Sequence, residues 1–482
     1  MQLRGELVDE VPPGGSNEAI IDSSSRTLQR HRRTEDFLLA FFRSLDGNKV
    51  RYCVLHSWEE LPHQLSSDLD VAVHPDDRAK LAAAFQELCD AGYDIIQIIN
   101  YFILAYAFQF CWWDASAMSS IAIDVIFKHQ RGPFIKPGAK EIVAGRRRHG
   151  SFWIPSSDSE FTYLLARKTY KGSVSAEQER RLNTLISQLG VSRARELADK
   201  LFRPQLTTRI LHACANATLD QLLPKIRKQA SRAAFTRNPI SLSWEAIREK
   251  VRLICRWFQP TGLFIAALGP DGSGKSTLIQ NLIQQIGPLW RDHKLFHWRP
   301  MLLWRGKSTR DTTQPHSVPP RSSLASSIRA LAHLLDYWFG YWFVIRPFTA
   351  RTGLVIFDRY FDDMLVDPRR YRYGGPLWLL RILQLLVPRP DLTLVLDAPE
   401  EIVLARKQEV EPTETQRQRK LYLQCARDGA SMRIINTTGS ISLVTDDAVR
   451  AITQYLARRV EHQNRSWFGP IPSAQCSPAT RP

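Results

Sequence analysis

Eight residues beginning at Gly269, GPDGSGKS, carry the spacing G-x-x-x-x-G-K-[ST]. Glycines at such positions permit positive φ and close approach of the backbone. Successive N–H groups can then converge on a phosphate, helped by the N-terminus of a following helix. On this reading Gly269, Asp271, Gly272, Ser273, Gly274, Lys275, Ser276 and Thr277 cradle a nucleotide. Lys275 reaches the β- and γ-oxygens, and the Ser276 hydroxyl ligates Mg2+. A Gly-rich turn without function is the other reading of the same string. A second group, Asp358-Arg359-Tyr360, follows the apolar run LVIF. A carboxylate leaving the C-terminal end of a buried strand can hold Mg2+ through water, and an adjacent arginine can grip a phosphate with two N–H groups. An ordinary surface ion pair is the alternative.

A third group lies near the other end of the chain. Asp68 and Asp70 flank Leu69 at the start of LDVAV, and Asp124 lies inside IAIDVIF. Strand alternation puts Asp68 and Asp70 on one face. Three carboxylates meeting from neighbouring strands would form a Mg2+ site. Lys168 and Lys171, on SEFTYLLARKTYKG, can meet a phosphate or simply be solvated.

These residues need elements to carry them. LFIAAL before the glycine loop reads as a buried strand and STLIQNLIQQI after it as a helix. GLVIFD and DLTLVLD read as two more buried strands, each ending in Asp, which predicts a parallel α/β sheet. The Pro/Ser-rich stretch 305–327 reads as a long loop. Near the N-terminus, RTEDFLLAFFRSL and DDRAKLAAAFQELCDAG have helical spacing, and RYCVLH, LDVAV and IAIDVIF read as strands. The expected fold is α/β: a C-terminal P-loop domain over 259–458, an N-terminal α+β domain over 35–150 and a helical region over 151–258. Disordered tails are expected at 1–30 and 460–482.

GPDGSGKSTL, FDRY at 357–360 and PRPDLTLVLDAPEEIVLARK at 388–407, taken in this order, resemble the thymidylate kinase family of nucleoside-monophosphate kinases. The resemblance covers roughly 260–458. It implies ATP and Mg2+ as cofactors and a γ-phosphoryl transfer carried by Lys275, Asp358 and Arg359. It also implies a lid whose arginine, Arg406 or Arg417, neutralises the transferring group. The acceptor would be a small phosphorylated nucleotide, dTMP by default, held by Arg299, Arg359 and Tyr360, with Arg370 added from a segment outside the resemblance, in an enzyme that is often a homodimer. Two segments depart from the family. His297-Trp298-Arg299-Pro300 replaces Phe-x-Arg-Glu-Pro, so the Glu is absent. FDDMLVDPRRYRYGG at 361–375 replaces Ser-Ser-x-Ala-Tyr-Gln, and its Arg369, Arg370 and Arg372 among Tyr371 and Tyr373 suit a larger phosphorylated acceptor or a solvated basic turn. The N-terminal carboxylates resemble the nucleotidyltransferase superfamily, with Ser57 upstream of Asp68 but His56 where that family has Gly. That implies either nucleotidyl transfer or a binding module on the same fold.

Composition sets the outer bounds. The 482 residues are 44% hydrophobic and 23% charged, an ordinary globular balance that excludes a disordered or collagenous chain. The net charge is +17, and residues 131–260 hold 25 basic against 10 acidic side chains. That region is either a solvated helical face or a surface for phosphate groups, nucleic acid included. None of the seven cysteines has C-x-x-C spacing, which with the lack of an apolar leader predicts reduced thiols in the cytoplasm. The most apolar stretch, 330–345, is shorter than the ~20 residues of a spanning helix and contains His333 and Asp336, so no transmembrane span is expected.

Overall fold

The computed structural model describes residues 34–468 except 66–67, 103–104, 115–116, 128–137, 238, 304–315, 317, 407–410 and 430. The tail expected at 1–30 lies outside the described residues.

The N-terminal part is a mixed sheet. Strands β1 (Tyr52–Val54), β2 (Leu69–Val73), β3 (Asp94–Phe102), β4 (Ala105–Asp114) and β5 (Ala117–Ile126) lie in the order β1-β2-β5-β4-β3. Only β2 and β5 run parallel. A helix at 34–47 and the helix Arg78–Asp90 cover one face, where Phe37, Phe41, Phe42, Leu81 and Phe85 pack on Tyr52, Val71, Phe108 and Phe110. The long pair β3–β4 goes beyond the strands read from the sequence, although its runs of Ile, Phe, Tyr and Trp have the β-branched and aromatic composition that strands favour. A hairpin of β6 (Arg147–His149) and β7 (Phe152–Ile154) follows. Six helices then run from Ser157 to Phe258, the first five around their own core of Phe161, Leu165, Leu182, Ala194, Ile210 and Leu223. The first of these, Ser157–Lys171, is capped by the Ser156 hydroxyl and stopped by Gly172 in the left-handed region.

The C-terminal part is a five-stranded sheet of β8 (Leu263–Leu268), β9 (Asp292–His297), β10 (Gly353–Asp358), β11 (Leu392–Asp397) and β12 (Met432–Asn436), in the order β12-β11-β8-β10-β9. All four pairings are parallel, so both faces must be covered by helices, as the apolar strand runs predict. The chain leaves the central β8 for the far edge, β9, and returns by β10. Strand order therefore reverses beside β8, which opens a crevice at the C-terminal strand ends.

The two sheets share an interior. Ile96 and Cys111, on the far face of the N-terminal sheet, are in one buried cluster with Ile265, Leu278 and Ala448. The C-terminal helix Ile441–Phe468 lies between the sheets and runs on past Arg459, where the sequence reads as the start of a tail. The correction has a packing cause: Arg459 donates to Gly262 O at 2.7 Å, and the next residue, Val460, is buried against the N-terminal core. Among the described residues no helix is long and apolar enough to cross a membrane.

Candidate active site

β8 is buried along its whole length and delivers the glycine loop to the crevice. Gly269, Gly272 and Gly274 have φ of 148°, 82° and 91°, as close approach of main chain to phosphate requires. A Cβ on Gly269 would stand 2.8 Å from Leu396 O, so the loop admits no side chain there. The helix Lys275–Ile286 starts directly after Gly274, and Ser276 and Thr277 sit exposed in its first turn. Lys275 is buried and donates to Gly269 O at 2.8 Å and Pro270 O at 2.7 Å. Burial, with Arg359 beside it, pushes its amine down to about 8. Ser273 Oγ is buried with no hydrogen-bond partner among the described residues. A cradle of glycines, a lysine resting on the loop's own carbonyls and an orphaned hydroxyl fit a nucleotide tail.

Asp358 ends β10 beside Ala267 of β8. Its Oδ1 is buried and has no partner among the described residues, while Oδ2 lies 3.5 Å from His297 Nδ1. Burial alone would raise this carboxyl. The His297 contact and the charges of Lys275 and Arg359 outweigh it and hold the group below its usual range. A carboxylate kept ionised with one oxygen open suits Mg2+. The next residue, Arg359, takes φ of 72°, anchored by its N–H on Ala267 O. That turn aims the guanidinium across the loop, where it binds Asp271 and donates to Asp363 Oδ2 at 2.6 Å. Arg370 binds the other oxygen of Asp271. The loop's own carboxylate thus joins two guanidiniums. Asp363 is fixed in turn by the hydroxyls of Tyr371 and Tyr422.

Other expected site residues take different places. Arg299 is buried and donates to Asp336 Oδ2 at 2.8 Å. Asp336, fully buried, also accepts the N–H groups of Met301, Leu302 and Leu303, so the pair shapes the turn after β9. Tyr360 is a core residue whose hydroxyl binds Pro388 O. Trp298 stacks on Tyr371 with ring centroids 4.3 Å apart. Arg417 is held by Glu414 and by Val366 O at 2.8 Å. Arg406 donates to Thr437 O at 3.1 Å and lines a cavity of about 180 Å³ beside the loop, with Ser273, Thr277, Gly439 and Val444. Asp363, Asp336 and Tyr422 were not foreseen. An apolar helix carrying a single Asp, as around Asp336, was the available signal.

At the N-terminal carboxylates, the parallel register sets Asp70 directly beside Asp124. Asp70 is buried and paired with His56 and with Arg167 at 3.1 Å. Burial, then the charges of Asp70 and Asp68, raise Asp124 to about 7, and its Oδ1 has no partner among the described residues. Asp68 is exposed just before β2. Lys168, on the same helix as Arg167, is buried, which pushes its amine down to about 8. The spacing argument therefore brings Asp70 and Asp124 together. His56 and the guanidinium of Arg167 already occupy Asp70, and the sequence pointed to neither as its partner.

Residues 269–448 match the family described as thymidylate kinase. A probable thymidylate kinase of Methanospirillum hungatei is 31% identical over 156 residues, which are 30% of this chain and 67% of that protein. The thymidylate kinase of Leuconostoc mesenteroides is 25% identical over 219 residues, 41% of this chain and 98% of that protein. Among solved structures, thymidylate kinase from Candida albicans aligns with 41% of this chain and 93% of that chain at 20% identity, with a TM-score of 0.30.

Proposed function

The chain belongs, through its C-terminal region, to the thymidylate kinase family, and from that premise we propose that it transfers the γ-phosphoryl group of ATP to a nucleoside-monophosphate-like acceptor in the presence of Mg2+. The observation that carries the proposal is the convergence at one crevice of the glycine cradle, Lys275, the open oxygen of Asp358 and the guanidinium of Arg359.

Ser276 and Asp358 would hold Mg2+, which supplies charge neutralisation between the β- and γ-phosphates. The loop amides and Lys275 fix the ATP tail. Arg359 and Arg370 grip the acceptor phosphate, whose oxygen attacks the γ-phosphorus while the bond to the β-phosphate oxygen breaks, leaving ADP. Little covalent chemistry falls to the protein, so rate comes from position and charge. Arg406, beside the loop, is better placed than Arg417 to meet the nucleotide, since Arg417 is bound to Glu414 and Val366. With Arg299 held by Asp336, the acceptor grip falls to the Arg359–Arg370 pair. That arrangement belongs to the segment departing from the family, and dTMP is the first acceptor to try rather than the only one. Turnover of the full chain against nucleoside monophosphates and phosphosugars tests the proposal. ADP release dependent on none of them contradicts it.

The register pairing of Asp70 with Asp124 is in line with the alternative of nucleotidyl transfer at the N-terminal carboxylates, but the pairing of Asp70 with His56 and Arg167 and a family match confined to 269–448 do not favour it. Pyrophosphate release unchanged in the Asp68→Asn, Asp70→Asn double variant would remove it. The six described cysteines are free, in keeping with a cytoplasmic enzyme. A homodimer is supported by the helix Ser323–Gly340 and the turn after it, which expose Leu324, Ile328, Leu331, Leu335, Trp338 and Trp342 at alternating four- and three-residue steps. That spacing is a seam suited to a second helix of the same kind.

A further inference from the structure

Away from the glycine loop, three segments meet on one carboxylate. Asp367, just after the helix Asp362–Val366, has a side chain only 3% exposed. Its Oδ1 and Oδ2 lie 2.9 and 3.0 Å from His316 Nε2, on the connection between β9 and the helix Ser323–Gly340. Oδ2 also accepts Gln418 Nε2 at 3.2 Å, and Oδ1 accepts the N–H of Arg370 at 3.2 Å. Glu414, one turn before Gln418 on the helix Pro412–Asp428, completes the group. Ligand atoms of His316, Asp367 and Glu414 all lie within 4.8 Å of one another.

We propose that His316, Asp367 and Glu414 form a site for a divalent transition-metal ion, zinc by preference, separate from the Mg2+ that accompanies ATP. The 2.9 Å gap between His316 Nε2 and Asp367 Oδ1 is what two bonds of about 2.0–2.1 Å span when they meet at roughly a right angle. Glu414, with a carboxylate oxygen within 4.8 Å of the other two ligand atoms, would supply the third ligand. One imidazole and two carboxylates leave a coordination position for water, as three-ligand zinc sites do. An imidazole ligand favours zinc, nickel or iron over magnesium, which keeps to oxygen and to its own waters. The two carboxylates balance the ion's charge, and binding replaces the proton that His316 Nε2 shares with Asp367. Arg417, which donates to both oxygens of Glu414, and Gln418 would remain as outer partners that orient the ligand.

The position gives the ion a use. It would tie the helix Pro412–Asp428 and the segment holding His316 to the residue that anchors the backbone of Arg370. Arg370 in turn reaches Asp271 of the glycine loop. An ion here would hold the acceptor side and the lid side in one arrangement.

The test uses the full chain stripped with chelator, without nucleotide, dialysed against zinc in excess Mg2+, with bound zinc measured by mass spectrometry. Wild type should retain one equivalent more than His316→Ala and one more than Glu414→Gln, and zinc should raise the melting temperature of wild type alone. Melting in chelator checks that both variants fold. Equal zinc in wild type and either variant overturns the site and leaves only the hydrogen-bonded clasp. Because no ATP is present, that failure would leave the kinase reading untouched.

Discussion

A buried ammonium is costly, and the hydrogen bonds that Lys275 makes among the described residues go to the carbonyls of Gly269 and Pro270 rather than to a carboxylate. Its amine, depressed to about 8, is charged below that pH and neutral above it. A triphosphate needs the charged form. The apparent affinity of the free protein for ATP should therefore weaken as pH rises through about 8, in calorimetric titrations from pH 7 to 9; a flat profile would count against Lys275 as the phosphate ligand. On the proposed reading, Arg370 grips the acceptor and not the transferring group. Arg370→Ala should raise the acceptor KM about tenfold or more with kcat little changed, the signature of lost uniform binding. A fall in kcat alone would move Arg370 into the phosphoryl-transfer step. At this scale the glycine loop and Asp358-Arg359 were legible in the sequence, because phosphate binding fixes both residue type and spacing. The bond from Arg299 to Asp336 was not, since the two are 37 positions apart and only packing brings them together.

The strands that deliver these residues were legible for the same reason that they are buried. Fully covered parallel strands read as unbroken apolar runs, as LFIAAL, LVIF and LTLVL do. The β3–β4 pair and the last turns of the C-terminal helix were not, because their burial depends on the other domain, which local periodicity does not report. The turn after β9 gives the clearest prediction for an element. Asp336 accepts three main-chain N–H groups and neutralises Arg299 in a fully buried position. Asp336→Ala leaves a buried guanidinium and three donors without an acceptor, so it should destabilise the fold by about 3–5 kcal/mol in denaturant titrations. A loss below about 1 kcal/mol would mean that water reaches the turn.

For the whole molecule, the C-terminal helix connects what the sequence separates into two lobes. Its first turn lines the cavity beside the glycine loop through Ile441, Val444 and Thr445, and its later turns pack on the N-terminal sheet. The exposed stripe on Ser323–Gly340 faces away from that shared interior and suits a second copy. Leu331→Glu with Leu335→Glu should convert a dimer to a monomer in light scattering behind gel filtration; an unchanged mass would assign the stripe another role. The central claim, however, concerns the crevice. Full-length protein is incubated with γ-labelled ATP, Mg2+ and nucleoside monophosphates, dTMP first, alongside a Lys275→Ala variant shown by circular dichroism to be folded. The account predicts label transferred to an acceptor by wild type and a loss of about a hundredfold or more in the variant. Equal transfer by both proteins, or none to any acceptor by wild type, would contradict it.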